Sequence, residues 1–397
     1  MAGRRPPWLS RNVILLSLSS LFGDISTEML YPILPLFLTQ VLGAGGSIVG
    51  LIDGIAQATQ NLVQGVSGTV SDRLRRRKPI ALAGFFLAAI SKPMIGLATA
   101  WPGVLGARFL DRIGAGTRSA PRDALVAASA PDADRGKAFG LEGFGDNLGA
   151  FLGPLIAVLL LGTFHVDLRV IFYLAVIPGL LAFAMVLFTR EERAEFAAKE
   201  KVDARFGRFP RPYWQYLAAI GLFGLGNSSN AFLILETQAA GASVENTVLV
   251  YAGFNLVAAL ISYPTGFLSD TFGRRNLLLL ALGVFFLAYA GFALTTNVFA
   301  IALLFVCYGA FQGMFRAAGK TLAADLVPAD LRAGGIGWYN SLVGLTQLFA
   351  SIVAGLLWDH AGHQAVFVYG AIFAILGMVA LVMLVPARTG GNALSEG

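Results

Sequence analysis

Long apolar stretches separated by short polar ones run through the whole chain. A helix that crosses the hydrocarbon core of a bilayer needs about 20 mostly apolar residues. Windows of that length predict twelve spans, numbered 1 to 12 in chain order, at roughly 13–38, 47–69, 79–98, 102–126, 138–161, 170–189, 213–237, 246–268, 276–295, 297–324, 335–357 and 364–385. A membrane β-strand would instead alternate apolar and polar residues over about 10 positions. The pattern therefore predicts an all-α membrane protein.

One connection differs from the others. The segment between spans 6 and 7 is polar and highly charged, whereas most connections are short, as expected for antiparallel neighbours in a helix bundle. We therefore predict an N-terminal six-helix bundle over 1–190, a linker over 191–212 and a C-terminal six-helix bundle over 213–397. A cleavable signal peptide is not predicted, because the basic N-terminus is followed by a span that is too long and lacks an early small-residue cleavage site.

The composition agrees with a membrane protein. Apolar residues make up 56% of the chain and charged residues 13%, whereas soluble domains average about 25% charged residues. The single cysteine, Cys307, excludes an intrachain disulfide, and the three dispersed histidines do not suggest a metal centre. We predict neither a cofactor nor a metal.

The basic residues predict the orientation. Of the 29 Lys and Arg residues, 21 lie on the side that holds both termini and the linker, seven lie within spans and only Arg169 lies on the other side. Because basic residues concentrate in cytoplasmic loops, we expect both termini and the linker to be cytoplasmic, in a bacterial inner membrane. This bias also explains the pI of about 9.5 without a nucleic-acid partner.

Two loops repeat each other. The sequence GTVSDRLRRR at 68–77 follows span 2, and GFLSDTFGRR at 266–275 follows span 8. A second pair of signals, Arg135 after span 4 and Arg332 after span 10, lies 63 residues beyond Asp72 and 62 residues beyond Asp270. Two signals at nearly the same spacing indicate that the two halves are related.

This repeated loop resembles the G-x-x-x-D-[RK]-x-G-[RK]-[RK] motif of the major facilitator superfamily, with Arg75 and Thr271 as departures. The resemblance implies a monomer with two six-helix bundles around a central cavity that opens alternately to each side. It also implies a conformational latch formed by Gly68, Asp72, Arg73, Arg76, Gly266, Asp270 and Arg274. The alternative is that the loops are only topological anchors.

Span 5 contains the sequence GDNLGAFLGP, in which small residues recur every four positions. Gly149, Gly153 and Pro154 are similar to the G-x-x-x-G-P motif of the family's antiporters, which implies export coupled to an ion. The alternative is an ordinary small-residue packing face.

Ionisable residues inside spans are costly and mark pathways, relays or ion pairs. Twelve of the fifteen predicted here lie in the N-terminal half. Arg118 and Arg122 of span 4 lie within about 20° of Asp111 on a helical wheel, and Arg316 and Lys320 follow in span 10. These four bases are candidate ligands of an anionic or zwitterionic cargo; the alternative is that they pair with acids in a gate.

The candidate proton-coupling residues follow. Asp24 and Glu28 lie one turn apart in span 1, where one of two adjacent acids can exchange a proton near neutral pH. The alternative is that both are permanently ionised partners of span-4 arginines. Further candidates are Glu142 and Asp146 in span 5, and Asp111. Arg108 matches the arginine of the family's span-4 motif, so the resemblance implies a role for it in proton transfer.

Other polar residues within spans are weaker candidates. Asp53 lies near the outer end of span 2, where it can belong to an external gate. Candidate cavity residues of the C-terminal half, for which interhelical hydrogen bonding is the alternative, are Asn227, Asn230, Asn255, Asn340 and Gln347.

These observations predict a secondary transporter whose partners are a small-molecule substrate, protons and the lipid bilayer. Proton-coupled efflux of an anionic, zwitterionic or drug-like compound is the leading hypothesis. Proton symport of an organic anion, and a channel or sensor with this fold, are the alternatives. An ATP-driven pump is not indicated because no P-loop motif occurs. An enzyme is not indicated because no nucleophile motif or inward-facing histidine is predicted.

Overall fold

The computed structural model describes residues 9–74, 76–131, 134–191, 209–328 and 331–385. Most of the predicted linker 191–212 lies outside these ranges. The side chains of three predicted latch residues, Asp72, Arg73 and Asp270, and the surroundings of Gly266 also lie outside the described part of the structure.

The described chain is helical, and its helices follow the twelve predicted spans. Span 1 comprises Arg11–Glu28, Ile33–Leu36 and a π-helical turn, Phe37–Val41. The next five are Gly46–Leu74, Lys78–Leu97, Trp101–Ala128, Arg135–Gly162 and, for span 6, Leu168–Leu174 with Val176–Leu187. Span 7 comprises Arg211–Gly224 and Ala231–Ala239, and spans 8 to 12 are Val244–Phe272, Arg274–Leu294, Val298–Asp325, Arg332–His360 and His363–Leu384. The predicted all-α fold with two six-helix halves is confirmed.

Nine of these spans, within the described ranges, are individually long and apolar enough to cross a membrane. The three others are spans 2, 4 and 7. Span 4 carries a row of charged residues, span 2 is rich in Gln, Asn and Ser, and span 7 is interrupted at 225–230. Polar or broken helices are tolerated at membrane depth where protein or a water-filled cavity covers them. Their composition therefore indicates that these three spans lie inside the bundle.

The break in span 7 has a local cause. Residues 225–230 read LGNSSN, and Ser and Asn side chains compete with the helix for backbone hydrogen bonds. The Ser229 hydroxyl, for example, accepts a hydrogen bond from the backbone N–H of Ala231 at 3.0 Å. The break places the buried Ser229 at the contact between the two halves, where its hydroxyl bonds to Asp53 of span 2.

Helix packing separates the chain into halves. In the N-terminal half span 1 packs on spans 5 and 6, and span 4 packs on spans 2 and 3; in the C-terminal half span 10 packs on spans 8 and 9, and span 12 packs on spans 7 and 9. The halves meet mainly where span 2 contacts span 11 and where span 5 contacts span 8.

The bundle has two distinct ends. We call the end that holds the first and last helix termini, Arg11 and Leu384, the terminal end. The opposite end, which holds the loops 42–45, 240–243 and 361–362, is called the far end.

Candidate transport site

The charged face predicted for span 4 divides into two clusters along the helix axis. Asp111 and Arg118 share a wheel position, but seven residues at a rise of about 1.5 Å place them about 10 Å apart along the axis. Asp111 is buried and pairs with Arg108 at 2.9 Å, with Arg112 at 2.9 Å and, from span 3, with Lys92 at 3.4 Å. One carboxylate thus holds three bases, which we call the Asp111 cluster.

Asp53 connects this cluster to the other half of the protein. Arg108 lies 3.6 Å from one of its carboxylate oxygens. The other oxygen accepts hydrogen bonds from the hydroxyls of Ser229, at 2.5 Å, and Tyr31, at 3.4 Å. Ser229 belongs to the break in span 7, so Asp53 bridges the two halves on the far-end side of the site.

The second cluster forms around Arg122. Its guanidinium lies 2.8 Å from Glu142 and 3.5 Å from Asp146, both on span 5, and 3.1 Å from Asp123. Ser20 of span 1 accepts a hydrogen bond from Arg122 at 2.9 Å and donates one to Glu142 at 2.7 Å. The predicted proton carriers Glu142 and Asp146 therefore share one arginine. We call this arginine and its three acidic partners the Arg122 cluster.

Arg118 lies between the two clusters. Its guanidinium stacks over the Phe85 ring at 4.5 Å and approaches Asp24 at 3.9 Å. The Asp24 side chain retains 28% of its accessible surface, compared with 10% for Arg118. The carboxylate is thus the more accessible member of this loose pair.

Glu28 has different surroundings from Asp24, although the two lie one turn apart. It accepts a hydrogen bond from the hydroxyl of Tyr251 at 2.8 Å, across the interface between the halves. Among the described residues no base lies within 4.0 Å of its carboxylate, although Arg108 and Arg112 act on it electrostatically from span 4. The Tyr251 ring stacks on Tyr31 with centroids 5.3 Å apart.

The small residues of span 5 pack directly on this part of span 1. A Cβ added to Gly149 would lie 2.5 Å from the carbonyl oxygen of Leu21, and one added to Gly153 would lie 2.9 Å from that of Ile25. The backbones of spans 1 and 5 are therefore in direct contact beside Asp24 and Glu28, and Pro154 is buried next to this contact. Asn255 donates a hydrogen bond to the carbonyl of Ala150 at 3.0 Å, which joins span 5 to span 8.

A carboxylate that the sequence analysis did not identify closes the far end. Asp359, at the end of span 11, accepts hydrogen bonds from the backbone N–H groups of Gly46, at 2.7 Å, and Ser47, at 2.8 Å. These groups belong to the first turn of span 2, where unpaired N–H groups and the helix dipole favour an anion. The first turn of span 2 contains no acidic residue of its own. In the sequence, this lack of an acid was the signal that an anion from another span could bind there.

The two bases predicted on span 10 differ from those of span 4. Arg316 and Lys320 are exposed, and within the described residues neither has a carboxylate within 4.0 Å. Of the predicted polar residues, Asn230 accepts a hydrogen bond from Tyr308 at 3.3 Å. Three others, Asn227, Asn340 and Gln347, are partly buried.

The repeated loops contact the neighbouring spans of their own halves. Arg274 forms an ion pair with Asp325 and donates to the carbonyl of Thr321 at 3.4 Å. In the first half the corresponding contact comes from Arg77, which donates to the carbonyl of Ala124 at 3.3 Å. Both contacts span 47 residues. The predicted latch residue Arg76 is exposed, whereas Gly68 lies against Ala120 of span 4.

Comparisons with known proteins agree with this architecture. The chain matches the Major Facilitator Superfamily model over residues 16–237 and 216–397. An uncharacterized MFS-type transporter of Methanocaldococcus jannaschii is 32% identical over 384 residues, which cover 95% of each chain. The multidrug resistance protein MdtG of Enterobacter lignolyticus is 26% identical over 400 residues, covering 97% of this chain and 94% of MdtG.

Among solved structures, a mutant of the nucleoside transporter NupG superposes with a TM-score of 0.83 at 14% identity, covering 94% of this chain and 99% of that one. The chain thus has the fold of a secondary transporter. It belongs to the major facilitator superfamily, as its motifs predicted. It is an integral membrane protein and a secondary transporter, and its relatives are transporters and not enzymes.

Proposed function

We propose that the protein is a proton-coupled exporter of a small organic solute, located in a bacterial inner membrane with both termini cytoplasmic. The concentration of basic residues at the terminal end supports this orientation. The contacts of Asp359 and Asp53 then close the outer side, and the accessible charged residues toward the terminal end, among them Asp146 and Arg316, face the cytoplasm.

The surroundings of Glu28 are the observation that carries the proposal. Within the part of the chain that the structure describes, no base lies within 4.0 Å of this carboxylate, so it can bind and release a proton without breaking an ion pair. Its hydrogen bond from Tyr251 crosses the interface between the halves. A hydrogen bond to an ionised acceptor is roughly twice as strong as one between neutral groups, so the deprotonated carboxylate favours the closed outer side.

This linkage suits an antiporter. After Glu28 releases its proton to the cytoplasm, the empty carrier stays open to that side until cargo binds. When the outer side is open, Glu28 has lost the hydrogen bond from Tyr251, and an unpartnered carboxylate is costly in the dry intermediate through which the empty carrier returns. Protonation from outside neutralises Glu28 and allows this return after the cargo has left, and release of the proton to the cytoplasm restores the stronger bond to Tyr251. Asp24 and its partner Arg118 are the second element of this exchange, and Arg108 acts on Glu28 from the Asp111 cluster.

The direction of transport has two supports. Gly149, Gly153 and Pro154 reproduce the antiporter-like motif, and they hold span 5 against the part of span 1 that bears Asp24 and Glu28. The similarity to a multidrug resistance protein also favours efflux. Proton symport of an organic anion is the competing hypothesis, and the direction of the driving gradient distinguishes the two.

The test is transport in proteoliposomes by wild-type protein, Glu28→Gln and the control Glu245→Gln, which replaces a carboxylate at the far end. The cargo is first identified by a thermal-shift screen against organic anions, zwitterions and cationic drugs, since a ligand of the folded state stabilises it. We expect Glu28→Gln to abolish accumulation driven by a proton gradient while exchange of labelled for unlabelled cargo continues. Gradient-driven accumulation by Glu28→Gln at the wild-type rate would contradict the proposal.

A further inference from the structure

Resting on the transporter function proposed above, we propose that the cargo is bipolar. Its cationic group binds to carboxylates of the N-terminal half, and its anionic group binds to Arg316 and Lys320 of the C-terminal half. The cargo then has separated positive and negative groups, and each group binds to one wall of the cavity.

The wall formed by the N-terminal half presents carboxylates. Its in-span bases lie in the Asp111 and Arg122 clusters or, for Arg118, beside Asp24 and Phe85. The acids are more accessible than the bases. Asp24 retains 28%, Asp146 35% and Asp123 45% of side-chain accessible surface, compared with 12% for Arg122. The arginines are therefore occupied, and a cargo that enters this side of the cavity meets negative charge.

The wall formed by the C-terminal half presents bases. Arg316 and Lys320 lie one turn apart on span 10, are exposed, and have no carboxylate within 4.0 Å among the described residues. Charged side chains are costly in lipid, so their exposure within a span indicates contact with water. Lys320 and Asp123 of the opposite half also act on each other electrostatically.

The internal repeat places the two walls opposite each other. Arg77 and Arg274 make equivalent contacts and are 197 residues apart, as 274 − 77 = 197. The same offset relates Asp123 to Lys320, since 320 − 123 = 197. Opposite charges therefore occupy matching positions on spans 4 and 10, on the two sides of the pseudo-twofold axis.

This distribution discriminates between classes of cargo. A simple anion would bind Arg316 but be repelled by Asp123 and Asp146, and a simple cation would be repelled by the bases of span 10. A bipolar molecule satisfies both walls at once, with the Arg316 guanidinium able to hold a carboxylate through two hydrogen bonds. Complementary charges on both walls thus supply selectivity against singly charged relatives.

The test uses matched triplets of compounds in a thermal-shift and equilibrium-binding assay on the full chain. Each triplet comprises an amino acid whose amino and carboxyl groups are separated by an aliphatic, aromatic or heteroaromatic spacer, its amide as the cation and its N-acetyl derivative as the anion. We expect the amino acid to bind at least about tenfold more tightly than either relative, a difference of about 1.4 kcal/mol. Equal or tighter binding of a singly charged relative, or no binding of any amino acid, would overturn the proposal.

Variants assign each group to its wall. Arg316→Gln and Lys320→Gln should abolish the preference for the amino acid over its amide, and Asp146→Asn should abolish its preference over the N-acetyl derivative. Lys137→Gln, which removes an exposed base outside the cavity, serves as the control. If the span-10 variants keep the wild-type preference, these bases are not the anion site.

The outcome is distinguishable from a failure of the proposed function. The binding preference of the wild-type protein tests the bipolar cargo, whereas gradient-driven transport by Glu28→Gln tests proton coupling. A protein that transports a singly charged compound with a proton gradient would refute the bipolar cargo and leave proton-coupled transport intact.

Discussion

The two ends of the bundle use polar residues in different ways. At the far end, carboxylates bind across the interface between the halves: Asp359 binds backbone amides of span 2, Asp53 accepts from Ser229, and Glu28 accepts from Tyr251. Toward the terminal end, the acids of the Arg122 cluster pair within their own half, and Arg316 on the opposite wall has no carboxylate within 4.0 Å among the described residues.

This difference explains how one end can be closed while the other is open. The donors in these contacts between the halves are hydroxyls and backbone amides. The contacts can therefore form and break without leaving an unpaired cation in a dry interface, which would be costly. The ion pairs of the Arg122 cluster join residues of one half, so a movement of one half relative to the other does not require them to break.

The largest effect should come from filling the close contact at the far end. A Cβ on Gly50 of span 2 would collide with the carbonyl oxygen of Ser351 on span 11. Gly50→Leu should therefore prevent closure and abolish transport. Spin labels at Ala44→Cys and Ala361→Cys, in a Cys307→Ser background, should show a longer far-end distance by pulsed electron resonance.

The matched control for that variant is Gly140→Leu, near the terminal end of span 5, where an added Cβ would have no heavy atom within 4 Å. It should keep the wild-type far-end distance and transport. A closed far end in Gly50→Leu would show that the contact between spans 2 and 11 does not control closure.

A smaller shift is expected when the charge at the start of span 2 is removed. An anion at a helix N-terminus contributes about 0.3–1 kcal/mol when exposed and up to ~2 kcal/mol when partly buried. Because Asp359 is exposed, Asp359→Ala should shift the equilibrium toward the open far end by about 2- to 5-fold, the factor that ~0.3–1 kcal/mol corresponds to. Asp359→Asn, which keeps the acceptor oxygen, should fall between Ala and wild type; an unchanged distance in Asp359→Ala would exclude this residue from the closure.

The fold could be predicted because membrane spans are encoded locally, by apolar length and by charge in the loops. The site was harder to predict, because the partner of each charge lies on another helix. Asp111 and Arg118 share a wheel position, yet their axial separation places them with different partners. Tyr251 lies in an apolar span and Ser229 in the break of span 7, so the sequence did not mark either as a site residue. Asp359 lies beyond the end of the predicted span 11. In the repeated loop, Arg77 occupies the last basic position of the motif and was not among the predicted latch residues, yet it donates a hydrogen bond to span 4.

The last test removes one hydroxyl at the interface. Tyr251→Phe keeps the ring that stacks on Tyr31 but removes the donor to Glu28. A hydrogen bond to a charged group contributes about 1.5–3 kcal/mol. Because the ring contacts remain, we expect the loss of stabilisation of the closed far end to lie near the lower end of this range. In wild type, raising the pH should shorten the far-end distance, because deprotonated Glu28 binds Tyr251 more strongly. Tyr251→Phe should flatten this dependence, whereas Tyr369→Phe, which removes a hydroxyl bonded within the C-terminal half, should preserve it. A full pH response in Tyr251→Phe would mean that the hydrogen bond from Tyr251 to Glu28 does not carry the effect of the proton on the far end.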